Sequence, residues 1–460
     1  MMKVLLINPP WVRRQDNVWH NVASIMPPLG LAWIAAVLEL DGHQVQILDA
    51  HAERIGLDQI LDRIRPTGPF DFIGITSTTS LIHNALEIAR MVKVAFPGVQ
   101  IILGGVHPTV LPEEVLAEPA VDIVVRGEGE DTMKELAARV SLEGVLGISY
   151  RKNGAFCHNA DRPLIADLNS LPMPAYHLLP MGKYRPAIGA YKRLPGISML
   201  ATRGCPGRCT FCYRIFGPRL RARSGLAMAK EVQHLHERYG IREISFYDDT
   251  FTAVKKEIRQ FCQSVVDMGI DVTWSCFSRV DAVDKDILQL MKRAGCHQIM
   301  YGIESASPEV LANIHKNVNL ATAERAVAMT QEVGINVRAA FMLGNPGETE
   351  KTMRETLKYA IRLNPGLVVF NITTPFPGTE MFDWAKKNGY LKTMDWDDYD
   401  LAHQVMELPS VPSLKVQEFY RTSYRRFFLR PRYVYARLRA MQTLSDVVQA
   451  FRGLRAVIGV

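Results

Sequence analysis

Nowhere in its 460 residues does the chain assemble the ~18 consecutive apolar residues that a membrane-spanning helix needs. The apolar start, Met1 to Ile7, stops at Asn8-Pro9-Pro10 with no cleavage region behind it, so no secretory leader is expected. Low-complexity segments and short internal repeats are missing as well. With 48% hydrophobic and 22% charged residues, the expectation is a soluble, globular, cytoplasmic protein. Cysteine is scarce: seven in this length do not make a disulfide scaffold. Three of them crowd into the stretch from Cys205 to Cys212, too tight for independent bridges, while Cys157, Cys262, Cys276 and Cys296 are scattered. In an intracellular enzyme such a crowd more often binds metal or does redox chemistry.

Charge of one sign is unevenly spread. The net +7 is matched by the stretch from Gln417 to Val460 alone, which carries nine arginines against Glu418 and Asp446. A basic tail rich in aromatics (Tyr420, Tyr424, Phe427, Phe428, Tyr433, Tyr435) suits nucleic acid, an anionic lipid or an anionic substrate. The plainer alternative is a helical cap with a solvated arginine face, and nothing else in the chain argues for nucleic acid.

The length is too great for one ordinary core, so two or three domains are expected. Over the first ~140 residues, apolar β-branched runs at Val4–Ile7, Val45–Leu48, Phe72–Thr76, Ile101–Leu103 and Ile123–Val125 alternate with helical patterns such as Leu29–Leu40 and Ala85–Phe96. That alternation predicts an α/β fold beginning with a doubly wound parallel sheet over residues 1–141, which binds its ligand outside the strand carboxyl ends. Gly154 and Pro163, Pro172, Pro174 and Pro180 break up residues 142–193, read as a linker. A second series follows over 194–390, with strands near 197–201, 243–246, 272–277, 298–302, 336–342 and 367–372. Six βα units fall short of a closed barrel and predict a partial (β/α)6 one. Residues 391–460 are expected to form a helical extension that closes the barrel mouth, with Phe427 and Arg430 bearing on the substrate.

The crowded cysteines, Cys205, Cys209 and Cys212, follow the first barrel strand directly in the pattern C-x-x-x-C-x-x-C. Structural zinc usually takes four ligands in two separated pairs, and no second C-x-x-C exists here. A cubane held by three thiolates leaves one iron open to an amine and a carboxylate. In this setting the motif resembles the radical SAM superfamily. The resemblance implies a [4Fe-4S] cluster on Cys205, Cys209 and Cys212, and one-electron cleavage of S-adenosylmethionine to a 5′-deoxyadenosyl radical, with a low-potential flavodoxin- or ferredoxin-type donor. It places Phe211 near the adenine, and Asp248, Ser278, Arg279 and Glu304, at successive strand ends, around the same ligand. The alternative for any of these polar groups is an ordinary barrel-rim salt bridge. Tyr213 and Tyr247 are packing aromatics or radical relays.

The resemblance extends to the first domain. Asn8-Pro9-Pro10, Pro27-Pro28-Leu29-Gly30, Gly104-Gly105-Val106-His107 and Arg126-Gly127-Glu128-Gly129-Glu130 are similar to segments of cobalamin-binding radical SAM proteins. This implies a cobalamin site at Asn8, Pro9, Pro10, Thr76, Ser77, Gly104, Gly105, His107, Gly127 and Glu128. One departure matters: the D-x-H-x-x-G motif that supplies a lower cobalt ligand is absent after the first strand. Asp49, His51 and Gly56 imitate it only loosely, and His51 is read as a surface or interface histidine. His107 lies either at the cofactor face or merely at the start of its helix.

Three functions follow from the resemblance and its residues. The leading one is methyl transfer to an unactivated carbon or phosphorus of a small-molecule substrate. A second keeps the cofactors but performs oxidative cyclisation or rearrangement, as in the anaerobic magnesium-protoporphyrin ester cyclases. A third, a non-catalytic iron–sulfur or cobalamin protein, requires a fourth thiolate, with Cys276 or Cys296 as candidates.

Overall fold

The computed structural model describes residues 1–11, 24–138, 141–441 and 444–459. Its first sheet has seven strands: β1 (Lys3–Asn8), β2 (Gln44–Asp49), β3 (Phe72–Thr76), β4 (Gln100–Gly104), β5 (Ile123–Val125), β6 (Ile148–Lys152) and β7 (Ala155–His158). Their order is β2-β1-β3-β4-β5-β6-β7, parallel through β5 and antiparallel beyond. The near-continuous apolar strands are explained by burial on both faces. Leu5, Ile7, Ile73 and Ile75 enter one core, and Val4, Leu6 and Ile102 enter the other, beneath the helices Leu29–Leu40 and Glu130–Ala138. The order reverses at β1, so the crevice between the carboxyl ends of β1 and β3 is the natural ligand position.

The hairpin β6–β7 falls in the stretch read as linker. Its turn is Asn153-Gly154, with φ +52° and +81°, the left-handed pair that a two-residue hairpin requires.

The second sheet holds β8 (Gly196–Met199), β11 (Glu243–Phe246), β12 (Thr273–Ser278), β13 (Cys296–Glu304), β14 (Asn336–Leu343) and β15 (Leu367–Ile372), all parallel and in sequential order. Between β8 and β11, the short antiparallel pair β9 (Thr202–Arg203) and β10 (Arg221–Ala222) closes the base of the cysteine loop. Residues alternate along each strand. Val337, Ala339 and Phe341 of β14 meet the surrounding helices, while their neighbours face the barrel interior.

Part of the extension does reach the mouth, where Leu401 O accepts from Ile372 N at the end of β15 and Gln404 and Val416 stand against Gly344 just past β14; the rest runs down the flank. Helix Ser413–Phe428 runs along the open edge of β15, where the Tyr424 hydroxyl donates to Phe370 O (2.9 Å) and accepts from Phe370 N (3.1 Å), pairing an otherwise bare strand edge. Phe427 is fully buried in that packing. Arg430 stacks on it at 4.2 Å and donates to Ile361 O, just before β15 begins. Both therefore sit at the amino end of the barrel, opposite the mouth. The preceding segment crosses to the first domain, where Trp396, Tyr399 and Val405 complete the core under the first sheet. No helix among the described residues is long and apolar enough to cross a membrane.

Candidate functional site

The cysteine loop leaves β9 through Gly204, whose φ of +92° and lack of a side chain let it pass Arg219 O; a Cβ there would come within 2.3 Å of that oxygen. Thr210 fixes the far side, its N–H donating to Ile314 O and its carbonyl accepting from Met381 N. Gly207 N donates to Cys205 Sγ at 3.4 Å, and a Cβ on Gly207 would touch Cys205 Sγ, Cys209 Sγ and an Arg279 nitrogen. The loop thus converges its thiols beside β12. They do not close on a single ion. The described trio whose ligand atoms lie within 4.8 Å of one another is the exposed set His83, Asp395 and Asp397, whereas thiolates on one zinc stand ~4 Å apart. Three spread thiols on one loop fit a cubane with three protein ligands. Cys262, Cys276 and Cys296 are buried in the barrel wall, and Cys157 lies on β7, so none of the four joins them. Burial pushes the Cys209 thiol up, opposed by the nearby Lys316 and Arg279 cations.

The strand ends form the rim around this loop. Asp248 is buried, and its Oδ1 accepts from Ala201 N (2.9 Å), from Thr202 N and from Thr202 Oγ1 (2.7 Å), which pins the approach to the cysteine loop. Burial raises its carboxyl to about 7. Among the described residues Asp248 Oδ2 and Thr250 Oγ1 are buried without a partner, two polar atoms that a ligand's polar groups would satisfy. Ser278 Oγ pairs with Thr252 Oγ1 and donates to Arg279 O. Arg279 makes a forked pair with Asp281 at 2.9 and 2.7 Å. Glu304 pairs with Lys316 Nζ at 3.0 Å. So Arg279 and Glu304 each make a rim salt bridge, and both bridges stand against the cluster loop. Glu304 has φ +69° at an irregularity in the β13–β14 register, a backbone conformation that costs about 1–3 kcal/mol and gathers at functional sites. Phe211 packs against Leu311, Ile314, Met381, Ala385 and Met406.

In the first domain a slot of about 160 Å³ opens at the carboxyl ends of β1, β3, β4 and β5. Its floor is sparse because glycine replaces side chains: Gly74 and Gly104 in the strands, Gly30, Gly127 and Gly129 around them. Thr76, Gly104, Gly105, Gly127 and Glu128 line it. The other expected residues lie elsewhere. Asn8 donates to Asp49 Oδ1 (2.8 Å), and Pro10 O accepts from Asn84. Pro9 is buried beside them, and Ser77 N donates to Gly104 O. Asp49 also caps the helix Ala50–Glu53 and accepts from the Tyr184 hydroxyl. His51 receives Trp11 N. His107 is fully buried on the other face of the sheet, edge-on to Trp396 and 3.5 Å from Glu114.

The slot and the cysteine loop share a wall. Arg203 of β9 donates to Glu128 Oε1 (2.9 Å) and Glu130 Oε1 (2.6 Å), and Arg221 of β10 donates to Glu128 Oε2 (2.9 Å); all four side chains are buried. The Arg203 guanidinium lies between Trp33 and Phe216, 4.8 and 5.2 Å from the ring centres. Arginines from the barrel thus lock onto carboxylates from the sheet, with Trp33, Arg203 and Phe216 lining the slot itself. Sequence reasoning missed Arg203, Gly74 and Lys316. Arg203 lies two residues before Cys205, and its partners Glu128 and Glu130 are more than seventy residues away, so nothing local marks the pairing. Nothing local marks Lys316.

The chain matches the B12 binding domain over residues 17–137 and the Radical SAM superfamily over residues 199–360. It is 37% identical over 439 residues to the uncharacterized methyltransferase PH0819 of Pyrococcus horikoshii, covering 94% of each chain. The anaerobic magnesium-protoporphyrin IX monomethyl ester cyclase of Rubrivivax gelatinosus is 28% identical over 442 residues, covering 93% of this chain and 78% of that one. Among solved structures, the cobalamin-dependent S-adenosylmethionine radical enzyme OxsB, with aqua-cobalamin and S-adenosylmethionine bound, shares the fold with a TM-score of 0.77 at 16% identity, over 100% of this chain and 72% of that one. The chain belongs to the cobalamin-binding radical SAM enzymes, which work with a [4Fe-4S] cluster, S-adenosylmethionine and cobalamin.

Proposed function

We propose that this enzyme transfers a methyl group to an unactivated carbon or phosphorus centre of a small biosynthetic substrate, in the cytoplasm, with an electron from a low-potential flavodoxin- or ferredoxin-type donor. The observation that carries the reading is the buried junction of Arg203 and Arg221 with Glu128 and Glu130, which sets the glycine-floored slot against the three-thiol loop. When bound, the cluster supplies the electron that splits S-adenosylmethionine into methionine and a 5′-deoxyadenosyl radical, and cobalamin supplies the methyl group.

The chain's own part is placement. Cys205, Cys209 and Cys212 hold the cluster; Gly207 N–H steadies Cys205 Sγ; Asp248 holds the approach to the loop through Ala201 and Thr202. Phe211, Ser278, Arg279 and Glu304 would line the S-adenosylmethionine site, with Lys316 and Asp281 setting the charge of that rim. Thr76, Gly104, Gly105, Gly127 and Glu128 would receive cobalamin, and the apolar packing of Trp33 and Phe216 at the junction excludes water.

The cyclase likeness over 93% of the chain supports oxidative cyclisation as the second reading. The two separate on the products. In anaerobic, cluster-reconstituted protein given cobalamin, a low-potential reductant and S-adenosylmethionine, methyl transfer yields both 5′-deoxyadenosine and S-adenosylhomocysteine. Alanine at the three cysteines abolishes the former. 5′-Deoxyadenosine alone would move the reading to cyclisation, and neither product from protein with an intact cluster would contradict both.

A further inference from the structure

The barrel interior carries an arginine that, among the described residues, has no hydrogen-bond or carboxylate partner. Arg338 lies on β14 between outward-facing Val337 and Ala339, so its side chain points inward. In register beside it are Met300 on β13 and Phe277 on β12, and the Tyr247 ring, one residue past β11, stands 5.0 Å from Phe277. Tyr247 and Phe277 immediately precede Asp248 and Ser278, so this layer lies directly beneath the rim. Among the described residues Arg338 has no hydrogen bond and no carboxylate partner. Its Nε is buried and unpaired, and the titratable groups acting on it are the hydroxyls of Tyr247 and Tyr424. The side chain as a whole is half-buried, so its guanidinium is partly desolvated and unpaired yet still reachable, the setting in which an anion would complete it.

The cations that act on the Cys209 thiol are Lys316 and Arg279, while Arg338 stands one layer below the rim. We propose that Arg338 receives an anionic group of the substrate, a carboxylate or a phosphate-type oxyanion, above an apolar floor of Tyr247, Phe277 and Met300. A guanidinium fork matches either oxyanion with two parallel hydrogen bonds. The assignment rests on the reading of the barrel as the substrate chamber.

Protein loaded with cluster and cobalamin, kept anaerobic, is titrated with propionate, with methylphosphonate and with S-adenosylmethionine, using calorimetry for the anions and the cluster EPR signal for S-adenosylmethionine. One of the two anions is expected to bind the wild type. Its affinity should fall at least about tenfold in Arg338→Gln and less in Arg338→Lys, which keeps the charge but loses the fork, while S-adenosylmethionine affinity stays within about twofold. Arg338→Met should leave the thermal midpoint unchanged or raised, since it removes an unpaired charge. The proposal is overturned if neither anion binds, if Arg338→Gln leaves anion affinity intact, if S-adenosylmethionine affinity falls in parallel, or if Arg338→Met lowers the midpoint. None of these titrations needs turnover. Anion binding without S-adenosylhomocysteine production would retain Arg338 and discard methyl transfer, and the converse would discard only Arg338.

Discussion

Glu348 shows how position, not residue type, sets the chemistry of a side chain. It follows β14, wholly buried, with one carboxylate oxygen accepting from Gly344 N and Asn345 N at 2.7 and 3.0 Å and the other unpaired. Burial outweighs those hydrogen bonds and pushes its carboxyl up to about 7. The folded chain therefore keeps a proton that the unfolded chain has already released, so stability falls as pH rises from the ordinary carboxylate range toward 7. Between pH 5.5 and 8, Glu348→Gln should gain on the order of 1–3 kcal/mol relative to the wild type, read from urea midpoints at the two pH values. A difference that does not change with pH would refute this. Local text could not have shown it. The same holds for Glu128, expected to meet cobalamin directly and found gripping Arg203 and Arg221 while lining the slot. A motif shows which residues gather at a site, and only packing decides which of their atoms are already taken.

Among the elements, the legible ones were those whose burial repeats at a fixed period. Helix Leu29–Leu40 runs over the span its periodicity predicts, the pattern at Ala85–Phe96 appears as a helix over Ile82–Ala95, and each expected strand is present within a residue or two. The β6–β7 hairpin escaped because the prolines that follow it dominated the reading of 142–193, although Asn153-Gly154 is itself a strong turn signal. The tail escaped for another reason. Its aromatics suit either a mouth or a flank, and the choice falls to the flank because β15 has an edge to be paired, which Tyr424 does. Gly74 was passed over as an ordinary strand residue, yet with Gly104 it leaves the floor of the slot open. A side chain at Gly104 would begin in ordinary contact with Val125, at 3.6 Å, and then extend into the slot. Gly104→Leu should therefore weaken cobalamin retention at least about tenfold, or ~1.4 kcal/mol, with iron content unchanged. Wild-type cobalamin content in that variant would place the cofactor elsewhere.

For the whole molecule, both strand orders follow from the alternation in the chain, and both point their carboxyl ends at a ligand. What the chain's linear order does not encode is how the two layers meet. That depends on Arg203 and Arg221 reaching Glu128 and Glu130 across more than seventy residues, and on Trp396, Tyr399 and Val405 crossing back to seal the first sheet. Breaking one partner of such a buried set costs about 3–5 kcal/mol, because the others are left charged and unpaired. Joined this way, the slot and the three-thiol loop belong to one chamber. The direct test is EPR on anaerobic protein carrying both cob(II)alamin and the reduced cluster. Mutual magnetic coupling that broadens both signals is expected in the wild type and should be weakened or lost in Arg203→Gln. Two signals that simply add, unperturbed by each other in the wild type, would contradict the account.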